Sequence, residues 1–455
     1  MSQMSPGSTQ SKARPREPET IYALSSGRVP AAIAVVRISG PRARFGLETL
    51  AGKIPEPRRA AYVTFRDPDS RETIDDGLAL WFPAPSSETG EDTAELHLHG
   101  GRAILAAVFR VLGGIAGYRP AEAGEFTRRA LLNGKLDLAA VEGLGDLVAA
   151  ETEAQRRQAL AQFRGALSAK VEAWRARLID ALALVEAAID FSDEDDVRGD
   201  LPRSSLKIAG ELVSEIKPVL ADAPRGERLR EGFTVAITGA PNAGKSTLLN
   251  RLAAREVAIV SAIPGTTRDA IEVALDLAGV PVVLVDTAGM RESGDPIEAE
   301  GVRRAYARAA AADLVLWLVD DSRADARPET MSRNTWLVRT KADLIDSDSQ
   351  RDLRKQGFIV VSAKSGLGID ELIAKLSNEA ERLGGEPALV THARQRHALA
   401  DAVRHLEAVL SAPFLPEELL AEELRLAARA LGRVTGRVDI EDVLDEIFKN
   451  FCIGK

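Results

Sequence analysis

The densest cluster of chemically capable residues follows one apolar run. Phe233-Thr-Val-Ala-Ile-Thr reads as a strand, Gly239-Ala-Pro-Asn242-Ala243-Gly244-Lys245-Ser246 follows it, and Thr247-Leu-Leu-Asn-Arg-Leu continues as helix. This is the G-x-x-x-x-G-K-S pattern in its strand–loop–helix context, an arrangement that cradles phosphates. Gly239 and Gly244 let the backbone curl so that its N–H groups converge on phosphate oxygens, and the helix N-terminus adds a favourable dipole. Lys245 can neutralise β- and γ-phosphate charge, and the Ser246 hydroxyl suits Mg²⁺.

Further motifs follow in the order a nucleotide switch requires. Val282-Val-Leu-Val-Asp286-Thr287-Ala288-Gly289 is a buried-strand pattern ending in D-x-x-G. Asp286 can hold the Mg²⁺ shell, and the Gly289 N–H can sense the terminal phosphate. Between these motifs lies a switch-type loop, Ser261-Ala262-Ile263-Pro264-Gly265-Thr266-Thr267, in which the Thr267 hydroxyl can complete the metal shell. Two strand ends then choose the base. Asp343, in Thr340-Lys341-Ala-Asp343, offers two acceptor oxygens to the guanine N1–H and 2-amino group, a donor pair that adenine lacks. Ser362-Ala363-Lys364 can present a backbone N–H to guanine O6, so GTP is expected over ATP. Thr340 stands where most G domains have Asn; it lacks the amide that usually touches the base edge and braces the phosphate loop, and guanine selectivity is expected to survive through Asp343 with weaker affinity.

Met290 follows D-x-x-G where Ras-type enzymes place a water-orienting Gln, and a thioether cannot align water through strong hydrogen bonds. Charge developing on the phosphoryl oxygens still needs a cation, and no arginine stands in a Ras-like context to supply it in cis. The Asn242 side-chain carbonyl is placed to coordinate a monovalent ion beside the phosphates. Backbone oxygens of the 261–266 loop, at Ser261, Ile263 and Thr266, could complete the shell of such an ion. Glu298 is the candidate carboxylate for the attacking water; its ordinary alternative is a surface charge at a helix start.

These motifs need an alternating strand–helix segment to carry them, and one runs from about residue 229 to 379. Before it, residues 20–134 show short apolar runs separated by Gly and Pro, a mixed α/β texture. Residues 135–228 and 380–455 read as helical, with Leu178, Leu182, Val185 and Ile189 on one face and Leu399, Val403, Leu406 and Leu410 on another. Residues 221–228 read as a linker. Asp439 is a plausible N-cap for a last helix burying Ile440, Leu444, Ile447 and Phe451. Residues 1–19 read as a disordered tail. The predicted fold class is therefore multidomain, α/β plus all-α, with a Ras-like P-loop G domain inserted into a discontinuous helical domain. The 455 residues exceed what one core supports. A net charge of −9 argues against broad nucleic-acid binding, and the single cysteine, Cys452, excludes an internal disulfide and suits a reducing cytosol. No apolar run approaches the ~20 residues of a membrane span.

The chain resembles the MnmE/TrmE family of tRNA-modification GTPases from Thr20 onward. The resemblance rests on Arg37-Ile-Ser-Gly, Thr89-Gly-Glu-Asp, Glu95-Leu, Gly124-Glu-Phe-Thr, Asn133-Gly-Lys135-Leu-Asp-Leu, the G motifs and the terminal Phe451-Cys452-Ile-Gly-Lys455. It implies a cytoplasmic homodimer formed through an N-terminal domain similar to folate-binding aminomethyltransferase domains. It also implies a heterotetramer with MnmG (GidA), which carries FAD and uses NADH. Together they would add an aminomethyl-type group, such as carboxymethylaminomethyl, to C5 of the wobble uridine of tRNA, with tRNA held mainly by the partner. A tetrahydrofolate derivative (5-formyl or 5,10-methylene) would lie at Arg37, Glu95, Lys135 and Lys455, with Cys452 close to the chemistry. The same resemblance implies K⁺-dependent hydrolysis as two G domains meet, with Glu298 holding the attacking water through a second water.

The principal alternative is a ribosome-assembly GTPase of the Era/Der type, which shares the G motifs and the Met-for-Gln replacement. Such a protein should carry a basic RNA-binding module after its G domain, whereas this sequence runs helical to its last residues. A membrane-remodelling GTPase is the third reading, and no basic amphipathic helix supports it.

Overall fold

The computed structural model describes residues 19–190, 201–240, 242–255, 257–259, 272–286, 312–320, 334–411 and 415–438, together with residues 444, 447, 448, 451, 453 and 454. Met290, Glu298, Cys452, Lys455, residues 287–289 and the loop 261–267 lie outside these, as do Asp439 and Ile440. Contacts divide the chain into two units, Met1–Val141 with Asp439–Lys455, and Glu142–Val438.

The first unit is built on β1 (Thr20–Leu24), β2 (Ala31–Ser39), β3 (Ala61–Arg66), β4 (Thr73–Phe82), β5 (Thr93–Gly100) and β6 (Tyr118–Pro120), in the spatial order β3-β4-β5-β2-β1-β6. All pairings are antiparallel except β1 with β6. Strand alternation sorts the side chains: Ala34, Val36 and Ile38 of β2 and Ala94, Leu96 and Leu98 of β5 are buried. They pack under α1 (Ala43–Ala51) and α2 (Arg102–Gly113), which supply Leu47, Leu50, Val108 and Leu112. The opposite face carries Arg37 and Glu95, directly paired in the β2–β5 register. After α3 (Glu125–Leu132), Leu138 and Val141 at the start of α4 (Leu138–Ala149) pack with Leu444 and Phe448, which come from the far end of the chain.

The second unit contains α5 (Glu153–Phe163), α6 (Ala166–Asp190), α7 (Leu201–Glu231), the sheet described below, α11 (Ala393–Ser411) and α12 (Glu417–Thr435). Residues 221–228, expected to be a linker, lie inside α7. Pro218, Pro224 and Gly226 make the sequence look broken, yet tertiary contacts carry the helix through them. Arg225 chelates Asp222 and donates to the carbonyls of Leu383, Gly384 and Glu386. A Cβ at Gly226 would come within 2.1 Å of the Val390 carbonyl oxygen, so only glycine permits that approach. The buried stripe of α6 is Leu167, Val171, Trp174, Leu178, Ala181 and Val185, with Leu182 and Ile189 half-buried at its edge. On α11, Leu399, Val403 and Leu406 are buried as the spacing implies, and Leu410 is exposed.

The inserted sheet runs β12-β11-β10-β7-β9-β8. Its strands are β7 (Phe233–Gly239), β8 (Glu272–Leu277), β9 (Val280–Asp286), β10 (Leu314–Val319), β11 (Thr335–Arg339) and β12 (Ile359–Val360). Every pairing is parallel except β8 with β9. Strands buried on both faces read as continuous apolar runs, as β9 does in Val280-Pro-Val-Val-Leu-Val. Among the described residues, the helices between these strands and after β12 are α8 (Lys245–Ala253), α9 (Ser347–Lys355) and α10 (Ile369–Glu381). Among the described residues, no helix is long and apolar enough to cross a membrane.

A buried ion pair joins three helices of the second unit. Glu142 on α4 receives two hydrogen bonds from Arg394 on α11, at 2.8 and 2.7 Å, and one from Gln395 at 2.7 Å. Arg394 also donates to the carbonyls of Arg433 and Val434, orphan acceptors at the C-terminal end of α12. Burial would raise the Glu142 carboxyl, but Arg394, with His392 and Gln395, outweighs it and holds the group below its ordinary 4.5. A depressed folded pKa stabilises above the unfolded value, and that stabilisation is lost as pH falls through the folded value. We predict that Glu142→Ala, which strands Arg394, costs about 3–5 kcal/mol in urea unfolding at pH 7. The deficit relative to wild type should shrink below about pH 4.5, the ordinary carboxyl value.

Candidate functional site

The carboxyl ends of β7, β9, β10, β11 and β12 bring the nucleotide motifs to one edge of the inserted sheet. β7 lies between β10 and β9, the point where the strand order reverses and open α/β sheets bind ligands. Gly239 ends β7 at φ 145°, where a Cβ would meet the Leu318 carbonyl oxygen at 2.4 Å. Asn242 sits in the left-handed region at φ 65°, which Asn tolerates better than most residues, and Gly244 precedes α8 at φ 91°. Ala243 is fully buried beneath this curl, while Thr247 faces outward on α8.

Lys245 donates to the loop carbonyls of Gly239 and Ala240, at 2.8 and 2.9 Å, which holds its ammonium inside the curve. The Ser246 hydroxyl donates to Asp286 Oδ2 at 2.8 Å. A hydroxyl from the first turn of α8 and a carboxylate from the end of β9 are the hard oxygen donors that Mg²⁺ takes, so the residues present fit that ion.

The segments expected to read the base are also brought together. Asp343 lies in a short 3₁₀ turn (Ala342–Leu344), and Ser362 donates to its Oδ1 at 2.6 Å. The hydrogen bond from Ser362, with Lys364 nearby, holds the Asp343 carboxyl below its ordinary value, so it remains an acceptor-only anion. Lys341, at φ 54°, pairs with Asp320 at 2.7 Å. Thr340 corrects part of the sequence expectation. Its hydroxyl donates to the Ala243 carbonyl at 2.7 Å, so the phosphate loop is braced from this strand although the amide is missing. A shorter side chain suffices because the β11 end approaches closely: a Cβ on Gly244 would lie 3.9 Å from that of Thr340.

In the first unit, Arg37 and Glu95 meet across β2 and β5. Arg37 Nε and Nη2 donate to Glu95 Oε1 at 3.1 and 2.9 Å, and its guanidinium carbon stands 5.7 Å from the Phe126 ring centroid. Lys135 donates to the Pro85 carbonyl at 3.0 Å, in the loop that leads into β5. Ile453 bridges to Ala123, and Ser25 donates to the Gly454 carbonyl at 2.8 Å, so the last described residues are tied into this unit. An anchored guanidinium and carboxylate side by side, with a lysine from the following segment, fit a ligand that carries both ring N–H donors and carboxylates.

Several framing residues were legible only as motif letters. Ser39 donates to Glu91 at 2.8 Å, Arg129 pairs with Glu91 and Glu125, and Asn133 donates to the Thr89 carbonyl. Burial would raise the Glu125 carboxyl, but Arg119, the Glu122 N–H and Arg129 hold it low. Glu88, which carried no sequence signal, lies 2.6 Å from Arg37 Nη1.

Residues 20–135 match the family model described as "GTP-binding protein TrmE N-terminus", and residues 138–452 match "MnmE helical domain". The tRNA modification GTPase MnmE of Azorhizobium caulinodans is 60% identical over 97% of this chain and 100% of its own length. That of Bradyrhizobium sp. (strain ORS 278) is 54% identical over 96% and 99%. The G domain of the T. maritima FeoB iron transporter aligns at 26% identity over 32% of this chain and 98% of that one, with a TM-score of 0.22.

The two strand ends give separable predictions for nucleotide binding by fluorescence titration. Thr340→Val leaves the buried Ala243 carbonyl without its donor, which costs about 1–3 kcal/mol, and it should weaken GTP, GDP and XTP alike. Asp343→Asn should weaken GTP by about tenfold or more and improve XTP, because the amide inverts one hydrogen-bonding role. Unchanged base preference in Asp343→Asn would remove Asp343 as the base reader.

Proposed function

The chain belongs to the MnmE family of tRNA modification GTPases and is a GTP-hydrolysing enzyme, and on that premise we propose that it modifies C5 of the wobble uridine in tRNA together with a flavin-dependent partner. The observation that carries this reading is the pairing of two sites in one chain: a guanine-type phosphate loop in one unit and the Arg37–Glu95 pair in the other.

In the nucleotide site the chain's own groups bind and orient. The phosphate-loop N–H groups and Lys245 take the phosphate charge, Asp343 and the Ser362 loop select guanine, and Thr340 holds the loop in shape. Ser246, Asp286 and Thr267 would hold Mg²⁺, which would supply positive charge to offset that of the phosphates. The remaining GTP contacts fall on Asn242, Ala243, Gly244, Thr247, residues 261–266 and residues 287–289. Asn242 with Ser261, Ile263 and Thr266 would hold K⁺, and Glu298 would position the attacking water as two G domains of a homodimer meet.

Arg37, Glu95, Lys135 and Lys455 would hold a tetrahydrofolate derivative, which would supply a one-carbon unit. Cys452 takes part in the modification. MnmG (GidA) supplies the FAD and NADH chemistry and most of the tRNA contact, in keeping with this chain's net charge of −9. The setting is the cytoplasm. The Era/Der alternative gives way to the family matches, since residues 138–452 match the MnmE helical domain.

Two measurements test the reading. Mass spectrometry of tRNA from a strain lacking this chain should show wobble uridines without the C5 aminomethyl-type group; restoration by wild type but not by Cys452→Ser would place Cys452 in the chemistry. Unaltered tRNA in the deletion strain would end the proposal. GTP turnover should rise in K⁺ and not in Na⁺. Glu298→Ala should lower kcat with GTP affinity retained, as befits a group acting in the transition state.

A further inference from the structure

All three nitrogens of the Arg37 guanidinium are engaged, and by two carboxylates of different standing. Nε and Nη2 bond to Glu95, its register partner on the neighbouring strand; both side chains are largely buried, at 16% and 18% exposure. Nη1 lies 2.6 Å from Glu88 Oε2, and the Glu88 side chain is 55% exposed. Glu88 belongs to the loop between β4 and β5, and its backbone is fixed on both sides. Ser87 is buried and donates to the Glu91 carbonyl. Thr89 is fully buried, bonds through its hydroxyl to Ser39 at 2.8 Å, and accepts from Asn133 at its carbonyl. The Glu88 side chain can therefore turn away by rotamer change alone, leaving the loop in place.

The same loop engages the second candidate cation, since Lys135 donates to the Pro85 carbonyl. Oxygens of one short segment thus stand on both cations proposed to receive a ligand's anionic groups. Glu95 cannot be replaced without breaking a buried pair, whereas Glu88 can be exchanged for another carboxylate at little cost to the sheet.

We propose that Glu88 is a displaceable latch that competes with a ligand carboxylate for Arg37 Nη1. The proposal rests on the tetrahydrofolate reading above and adds a selection rule to it. A folate carries carboxylates that can take over the Glu88 position, and a pterin without its glutamate tail carries none. The latch therefore lowers affinity for every folate somewhat and disfavours accumulation of other small anions on Arg37.

Isothermal titration calorimetry on the full chain provides the test, with wild type, Glu88→Gln and Glu88→Ala titrated with 5-formyltetrahydrofolate and with a tetrahydropterin lacking the tail. Both variants should bind the folate about three- to fivefold more tightly, the range set by a partly exposed ion pair, with no change for the tailless pterin. Folate binding by the variants alone would also support the latch. Equal or weaker folate binding by both variants overturns it while leaving the ligand assignment standing, as does an equal gain for the tailless pterin. No heat from any of the three proteins overturns the latch and the folate reading together. Should the alanine change lower the melting temperature, the nearly isosteric Glu88→Gln alone decides between these outcomes.

Discussion

The second unit depends on how the chain leaves and rejoins its helices. A sheet inserted between helices must have its two ends close together, or the helices flanking it could not share a core. Arg225 answers that requirement from the end of α7, with one guanidinium satisfying the carbonyls of Leu383, Gly384 and Glu386 on the returning segment. α5 adds to it from a third direction. Gln155 and Gln158 donate to the Arg230 and Gly226 carbonyls on the departing side, and Gln162 donates to the Leu389 carbonyl on the returning side. Long polar side chains suit this task because irregular buried backbone needs donors that no sheet ladder supplies.

With its ends fixed, the sheet can gather distant motifs at one edge. Gly239, Asp286, Thr340 and Ser362 are far apart in sequence, yet each ends or follows a parallel strand and so emerges on the same side. The first unit uses a different device. There, antiparallel register alone places Arg37 beside Glu95, and loop and helix residues then build a charged frame around them through Glu91, Arg129 and Glu125.

The parts legible in the sequence are those in which spacing and chemistry coincide. The phosphate-loop pattern, the apolar run of β9 and the acidic residue expected to read the base each carry their own pattern, and the structure sets them in or just after the strands expected of them. The linker expectation at 221–228 fails because proline and glycine describe local preference, while Arg225 and the close approach at Gly226 act across more than 150 residues of sequence. At Thr340 the sequence shows which group is missing and not how near the next backbone runs, so the brace to Ala243 is invisible in it. Glu88 has no signal, since an exposed glutamate in a loop looks the same whether it faces water or a guanidinium.

The contact between Gly226 and the Val390 carbonyl has a consequence for ancestry. At that point the polypeptide returns almost to where it left, so the whole stretch between them is topologically a closed excursion from the helical host. Such an excursion can be acquired or exchanged in a single genetic event without tearing the host apart, because both cut ends already lie within van der Waals reach. The glycine at the crossing keeps that option open, because a side chain there would push the two ends apart.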